Sequence, residues 1–223
     1  MSCANVDKKI TLGLYGGTFA PPHIGHIRAA DAMIRQFSLD MLLIMPAALP
    51  PHKKISPDDK PELRLDMTKI AFGDLCRREN AAVSELEIRR SGVSYTSDTL
   101  TTLSGIYNVN GKIKLLCGTD MFLTLDGWHD AETIFRLADI VYVRRRDDAD
   151  DDGKIAIKRE YYHSVYGVDA VPLDIEPFAV SSTQIRDMIM DRGVGYAVEA
   201  GYIGYDVGEY IKKRRLYGEK QHQ

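Results

Sequence analysis

Gly16-Gly17-Thr18-Phe19-Ala20-Pro21-Pro22-His23-Ile24-Gly25-His26 joins an apolar run over residues 10–15 to a stretch of helical period that begins at Ile24. The apolar run reads as a strand buried on both faces, as in parallel sheets. After Ile24, the apolar positions Ile27, Ala30, Met33, Ile34 and Phe37 recur at helical spacing, so a helix should start there. Paired glycines allow a tight turn and close approach of a ligand to the backbone. Two histidines three apart at a helix start share its first turn. The main-chain N–H groups of that turn lack helical partners and sit at the positive end of the dipole, which suits an anion. Single features of this kind also serve as caps or turns; together they point to an enzyme that handles phosphate.

The chain has 223 residues, enough for one large domain or one domain with an appended subdomain. A hydrophobic share of 44%, a charged share of 27% and a net charge of −3 give no indication of a nucleic-acid or membrane-surface binder. No apolar run approaches the ~18 residues of a membrane span, and residues 1–9 lack the apolar core of a signal peptide. Cys3, Cys76 and Cys117 are scattered and odd in number, which suits reduced thiols and a cytoplasmic enzyme.

Residues 41–45 form a second buried strand, so strand, turn, helix and strand make one right-handed βαβ unit. Pro46, Pro50, Pro51, Pro57 and Pro61 exclude regular structure over residues 46–61, and residues 62–74 return to a helical pattern. A strand is expected over 83–88, then a helix opened by the polar cluster at 94–99 and closing near Tyr107. Strands over 112–117, 140–143 and 168–175 alternate with helices over 132–137 and 154–166. Ser181 and Gln184 match a capping box, which starts another helix. Residues 193–204 read as a glycine-rich turn, residues 206–216 as a last helix, and residues 218–223 as a frayed tail. The expected fold is α/β, a Rossmann-like doubly wound parallel sheet over residues 1–180, with a small C-terminal helical subdomain over 181–223 packed on it as one structural unit.

Further candidates lie outside the opening stretch. Lys53, in Pro50-Pro51-His52-Lys53, is presented by stiff prolines and could meet phosphate, although a solvated basic loop has the same composition. Gly118-Thr119-Asp120 follows a strand, where ligands of open parallel sheets gather, so Asp120 could contact a ribose or magnesium. Trp128 is the chain's one tryptophan; flanked by Gly127 and His129, it could stack on a flat heterocycle or pack in the core. Ser182, Thr183 and Arg186 crowd the start of a second helix, a second candidate phosphate site or a well-capped end. The acidic run over 147–152 has no calcium-loop spacing and reads as a solvated loop.

Five segments, taken in order, resemble one family. Gly-Gly-Thr-Phe-x-Pro-x-His-x-Gly-His, Pro-Pro-His-Lys, Ser-Tyr-Thr-x-Asp-Thr-Leu, Gly-x-Asp followed by Trp, and Ser-Ser-Thr-x-Ile-Arg span Gly16 to Arg186. They are similar to the signatures of nicotinate-mononucleotide adenylyltransferases of the HIGH nucleotidylyltransferase superfamily. Two departures stand out: Ala20 where that family usually has Asp, and Leu125-Asp126-Gly127 where it usually has Leu-Pro-x. The resemblance implies transfer of the adenylyl group of ATP to nicotinate mononucleotide, with deamido-NAD and pyrophosphate as products. It further implies a magnesium ion carried on the ATP phosphates, with no protein side chain assigned as its ligand. Gly16, Gly17, Thr18, Phe19, His23, His26, Gly118, Asp120, Ser182, Thr183 and Arg186 would bind ATP. Of these, His23, His26 and Arg186 would act in catalysis, while Lys53, Thr96 and Trp128 would bind the acceptor. No nucleic-acid or membrane partner is expected, and a homo-oligomer is compatible with the sequence. The alternatives are another adenylyltransferase of the superfamily, with nicotinamide mononucleotide or phosphopantetheine as acceptor, or a non-catalytic ATP sensor.

Overall fold

A computed structural model describes residues 8–51, 57–144, 152–176, 178 and 180–218. Six parallel strands form one sheet: β1 (Leu12–Gly17), β2 (Met41–Pro46), β3 (Ala81–Val83), β4 (Ile113–Gly118), β5 (Ala138–Val143) and β6 (Val171–Pro172), in the order β3-β2-β1-β4-β5-β6. Between them run α1 (Ile24–Phe37), α2 (Pro61–Arg78), the short α3 (Leu86–Arg90), α4 (Thr96–Ile106), α5 (Thr119–Phe122), α6 (Ala131–Leu137) and α7 (Asp152–Tyr166). Helices α8 (Ser182–Arg192), α9 (Val194–Glu199) and α10 (Tyr205–Arg214) complete the chain.

The two-residue period of the strands divides their side chains between two cores. Leu12, Leu14, Leu43, Met45, Leu115 and Cys117 pack with Leu103 of α4, Ile134 and Phe135 of α6 and Tyr162 of α7. Leu42, Ile44 and Leu116 point the other way, against Ala30 and Met33 of α1 and Phe72 and Leu75 of α2. Apolar residues on both strand faces explain the continuous apolar runs in the sequence, and they make the sheet doubly wound. Gly13 keeps the second layer close: a Cβ there would come within 2.5 Å of Leu39 and 2.9 Å of Leu42. A third cluster joins α8, α9 and α10 through Ile185, Ile189, Val194, Ala197, Val207 and Ile211, and Met67 of α2 completes it.

Three expectations are corrected. The strand expected over 83–88 ends at Val83, and residues 86–90 are helical. The Ser84 hydroxyl accepts from the Leu86 N–H at 3.3 Å and turns the chain, and the buried Glu87 accepts from Thr99 at 2.7 Å, a tertiary contact that the alternation of residues cannot reveal. The strand expected over 168–175 pairs only at Val171 and Pro172. Proline offers no N–H to a ladder, which suits the edge position. Residues 194–199 are helical where a turn was expected, because Val194 and Ala197 bury completely in the third cluster. Gly193 and Gly201 flank that helix with φ of 81° and 72°, while Gly195 lies within it. The acidic run, apart from Asp152, and the tail from residue 219 onward lie outside the described residues. No helix among the described residues is long and apolar enough to cross a membrane.

Candidate active site

The strand order reverses between β1 and β4, which pair in parallel with Tyr15 beside Leu116. The carboxyl ends of two such strands splay their following helices to opposite faces and leave a crevice. The turn of residues 16–23 leaves β1 on one side of it, and Gly118, Thr119 and the exposed Asp120 leave β4 on the other. Gly16, Gly17 and Thr18 are at least partly open to solvent. The Phe19 ring is buried at 2% exposure, edge-on to His26 with centroids 5.1 Å apart. Its backbone has φ of 51°, and a Cβ on Gly17 would lie 2.8 Å from its ring. The Phe19 ring therefore packs against His26 and supports it from within the core.

His23 caps α1 and His26 follows one turn along, their rings 3.7 Å apart. The His23 main-chain N–H donates to Nδ1 of His26 at 3.1 Å. With Nδ1 accepting, the neutral ring of His26 carries its proton on Nε2, so that nitrogen is a donor. Gly25 is needed between them, since a Cβ would sit 3.0 Å from the His23 ring and 2.9 Å from Phe178.

The second helix N-terminus docks onto this turn. Ser181 and Gln184 of α8 form the capping box: the Ser181 N–H donates to Oε1 of Gln184 at 2.8 Å, and the Gln184 N–H donates to the Ser181 hydroxyl at 3.2 Å. Ser182 Oγ then donates to the Pro21 carbonyl at 2.9 Å, and Nη1 of Arg186 to the Ala20 carbonyl at 2.7 Å. Arg186 Nη2 also donates to Thr183 Oγ1 at 3.2 Å. A guanidinium has five N–H donors, so these two bonds leave capacity for an anion. The Ala20–Pro21 peptide is cis, and Ala20 is buried beneath Arg186, so the departure at this position occupies packed space.

Thr96 opens α4, and Trp128, half-buried, follows the 3₁₀ turn of Leu125–Gly127. The rings of their neighbours Tyr95 and His129 meet, tilted, with centroids 4.2 Å apart, which brings the two segments together. The second departure has a physical account: Asp126 accepts from Lys158 Nζ at 2.6 Å and from the Tyr162 hydroxyl at 3.1 Å, both on α7. Burial pushes the Asp126 carboxyl up, and these hydrogen bonds outweigh it, so the group ends below its ordinary value. Asp126→Ala removes that tie between the 3₁₀ turn and α7, and the melting temperature is expected to fall by about 2–8 °C, for a loss on the order of 1–2 kcal/mol. Thermal melts of the two forms check it. Lys53 lies outside the described residues.

Sequence reading missed Arg64, which is 0% exposed on α2. Its position in a helical stripe with Thr68, Phe72 and Leu75, all buried, was the available signal: a charge placed on an apolar face. Burial also raises the Asp59 carboxyl, opposed by the positive charges of Arg186 and Arg64.

Comparison with known proteins agrees with this geometry. The family model described as cytidylyltransferase-like matches residues 14–188. A Synechococcus sp. (strain JA-2-3B'a(2-13)) protein named "Probable nicotinate-nucleotide adenylyltransferase" is 37% identical over 92% of this chain and 96% of its own. One of the same name from Geobacter metallireducens is 34% identical over 92% of this chain and 97% of its own. Among solved structures, the Plasmodium falciparum nicotinic acid mononucleotide adenylyltransferase complexed with NaAD superposes with a TM-score of 0.75 at 18% identity, over 96% of this chain and 99% of that one. With six parallel strands, a crevice at the reversal and matches over nearly its whole length, the chain belongs to the nicotinate-nucleotide adenylyltransferases, within the cytidylyltransferase-like family.

Proposed function

We propose that the protein transfers the adenylyl group of ATP to nicotinate mononucleotide, releasing pyrophosphate and deamido-NAD. The observation that carries this reading is the convergence of two helix N-termini on one turn, with His26 presenting Nε2–H and Arg186 tied to Ala20. An acceptor phosphate oxygen forms a bond to the α-phosphorus while the bond to the α–β bridging oxygen breaks and pyrophosphate leaves. Such a displacement needs alignment and charge stabilisation more than covalent chemistry. In this reading His26 donates to an α-phosphate oxygen, His23 and Thr18 hold the chain of phosphates, and Ser182, Thr183 and Arg186 grip the β and γ groups. Gly16, Gly17 and the Phe19 main chain let ATP approach, Gly118 and Asp120 line its adenosine, and Lys53 meets phosphate. Thr96 and Trp128 shape the pocket for the pyridine ring.

The donors drawn together here are imidazole, hydroxyl and guanidinium, and among the described residues no group of three or more His, Cys, Asp or Glu side chains could hold a metal. That chemistry fits magnesium carried in on the triphosphate oxygens, where it would neutralise charge. Because α8 belongs to residues 181–223 yet completes a site begun on β1, the two proposed parts act as one unit.

The route is tested with ATP made chiral at the α-phosphorus by a sulfur substitution. One in-line displacement inverts that centre in the dinucleotide product. Retention would mean two displacements and a covalent enzyme intermediate, contrary to this reading.

A further inference from the structure

Arg64 is the most deeply buried charge described, and its hydrogen bonds go to three main-chain carbonyls, one in the turn after β1 and two at opposite ends of the connection between β2 and α2. Nε donates to Asp59 at 2.7 Å, Nη1 to Thr18 at 2.9 Å and Nη2 to Ala48 at 2.9 Å. A buried guanidinium is costly unless its donors are satisfied, and burial lowers its pKa from the ordinary arginine value. The carboxylates of Asp59, Glu62 and Glu87 favour its charge through space. The charge is kept where three main-chain carbonyls share it.

Both connections matter to the site as read above. Thr18 lies in the turn after β1. In a trans peptide the C=O and N–H point in opposite directions, so a Thr18 carbonyl drawn toward Arg64 turns the Phe19 N–H away from it. The preceding peptide is set likewise, because the Gly17 carbonyl accepts from the Ala47 N–H at 3.0 Å, which turns the Thr18 N–H away from Ala47. The Phe19–Ala20 peptide carries the Ala20 N–H, and the two peptides after it end in Pro21 and Pro22 and have none. The main-chain donors of this part of the turn are thus the N–H groups of Thr18, Phe19 and Ala20, and the first two belong to peptides whose carbonyls are held. Ala48 belongs to the segment after β2, whose N–H donates to Ser94 Oγ at 2.8 Å; the Ser94 N–H returns a bond to Leu49 at 2.9 Å. Ser94 stands two residues before Thr96 and next to Tyr95, whose ring meets that of His129. One side chain thus joins the nucleotide turn to the segment that supports the acceptor pocket.

We propose that Arg64 is a positioning residue: its fork holds the Thr18 and Ala48 carbonyls in one geometry and so aligns ATP with the acceptor. The proposal rests on the adenylyl-transfer reading. A lysine keeps the charge but lacks the planar fork that serves three carbonyls, and displacing reacting groups by about 1 Å can cost ~10² in rate.

The test uses the full chain as wild type, Arg64→Lys, Arg64→Met and, as a control for plain destabilisation, Leu75→Ala. Leu75 is buried on the same helix, about three turns beyond Arg64, and makes no side-chain hydrogen bond to the site. Turnover per folded molecule is measured below every variant's melting temperature, and affinity for a non-hydrolysable ATP analogue is measured alongside. Arg64→Lys is expected to lose roughly 30- to 100-fold in kcat and up to about tenfold in analogue affinity. Arg64→Met should lose at least as much, and Leu75→Ala should lose neither despite a comparable fall in melting temperature. Turnover and analogue affinity within about twofold of wild type in Arg64→Lys, or equal losses in Leu75→Ala, would overturn the proposal. If wild type and Leu75→Ala both release no pyrophosphate, the adenylyl-transfer reading fails instead, and analogue affinity alone decides whether Arg64 orders the turn.

Discussion

His26→Ala is expected to lower kcat by a factor of ~10² to 10³, the usual loss when one preorganised donor to developing charge is removed. The expectation follows from one hydrogen bond: the His23 N–H donates to Nδ1, which fixes the neutral ring with its proton on Nε2. Folding should suffer little, since the ring is half-buried and the lost hydrogen bond is worth about 1 kcal/mol. His26→Gln separates donor from shape. Glutamine can accept the His23 N–H through Oε1 and donate through Nε2, so it should retain clearly more turnover than alanine. Steady-state kinetics beside thermal melts checks both variants, and an alanine variant with near-normal kcat would remove His26 from the chemistry.

Arg186→Ala should produce the other large loss, a fall in kcat/KM for ATP of ~10² to 10³. Two effects add. A charge-assisted contact to phosphate contributes about 1.5–3 kcal/mol. The Ala20 carbonyl, 2.7 Å from Nη1, also loses the bond that holds the phosphate turn against α8. Arg186→Lys should recover only part, because an ammonium cannot serve Ala20, Thr183 and a phosphate with one planar fork. The loss should appear in both KM for ATP and kcat. A change in the acceptor's KM alone would place Arg186 elsewhere in the reaction.

What the sequence disclosed and what it withheld divide by distance along the chain. The His23–His26 pair, the Ser181–Gln184 capping box and the strand carrying Gly16 and Gly17 are local, set by spacing within one turn or by a two-residue period. The doubly wound sheet was legible for the same reason: its central strands are apolar on both faces. Contacts that depend on the fold were not legible. Ser182 and Arg186 reach back to Pro21 and Ala20 across 161 and 166 residues, and nothing in either segment marks its partner. Arg64 was passed over because its neighbours Leu63 and Met67 suggested an ordinary apolar face. The short helix at 86–90 was misread because Leu86 and Ile88 alternate as a strand would, while the deciding contact, Glu87 with Thr99, lies on another helix. The helix at 194–199 was hidden by its glycines: Gly193 and Gly201 flank it, Gly195 lies inside it, and it is burial of Val194 and Ala197 that favours the helix.

The measurement closest to the central claim is pyrophosphate release from magnesium-ATP with three acceptors supplied separately: nicotinate mononucleotide, nicotinamide mononucleotide and phosphopantetheine. Strong preference for nicotinate mononucleotide, with deamido-NAD formed in equal amount, is the result predicted here. Preference for either of the others would keep the phosphate machinery and contradict the acceptor assignment. No release with any of the three would contradict catalysis itself and leave an ATP-binding module.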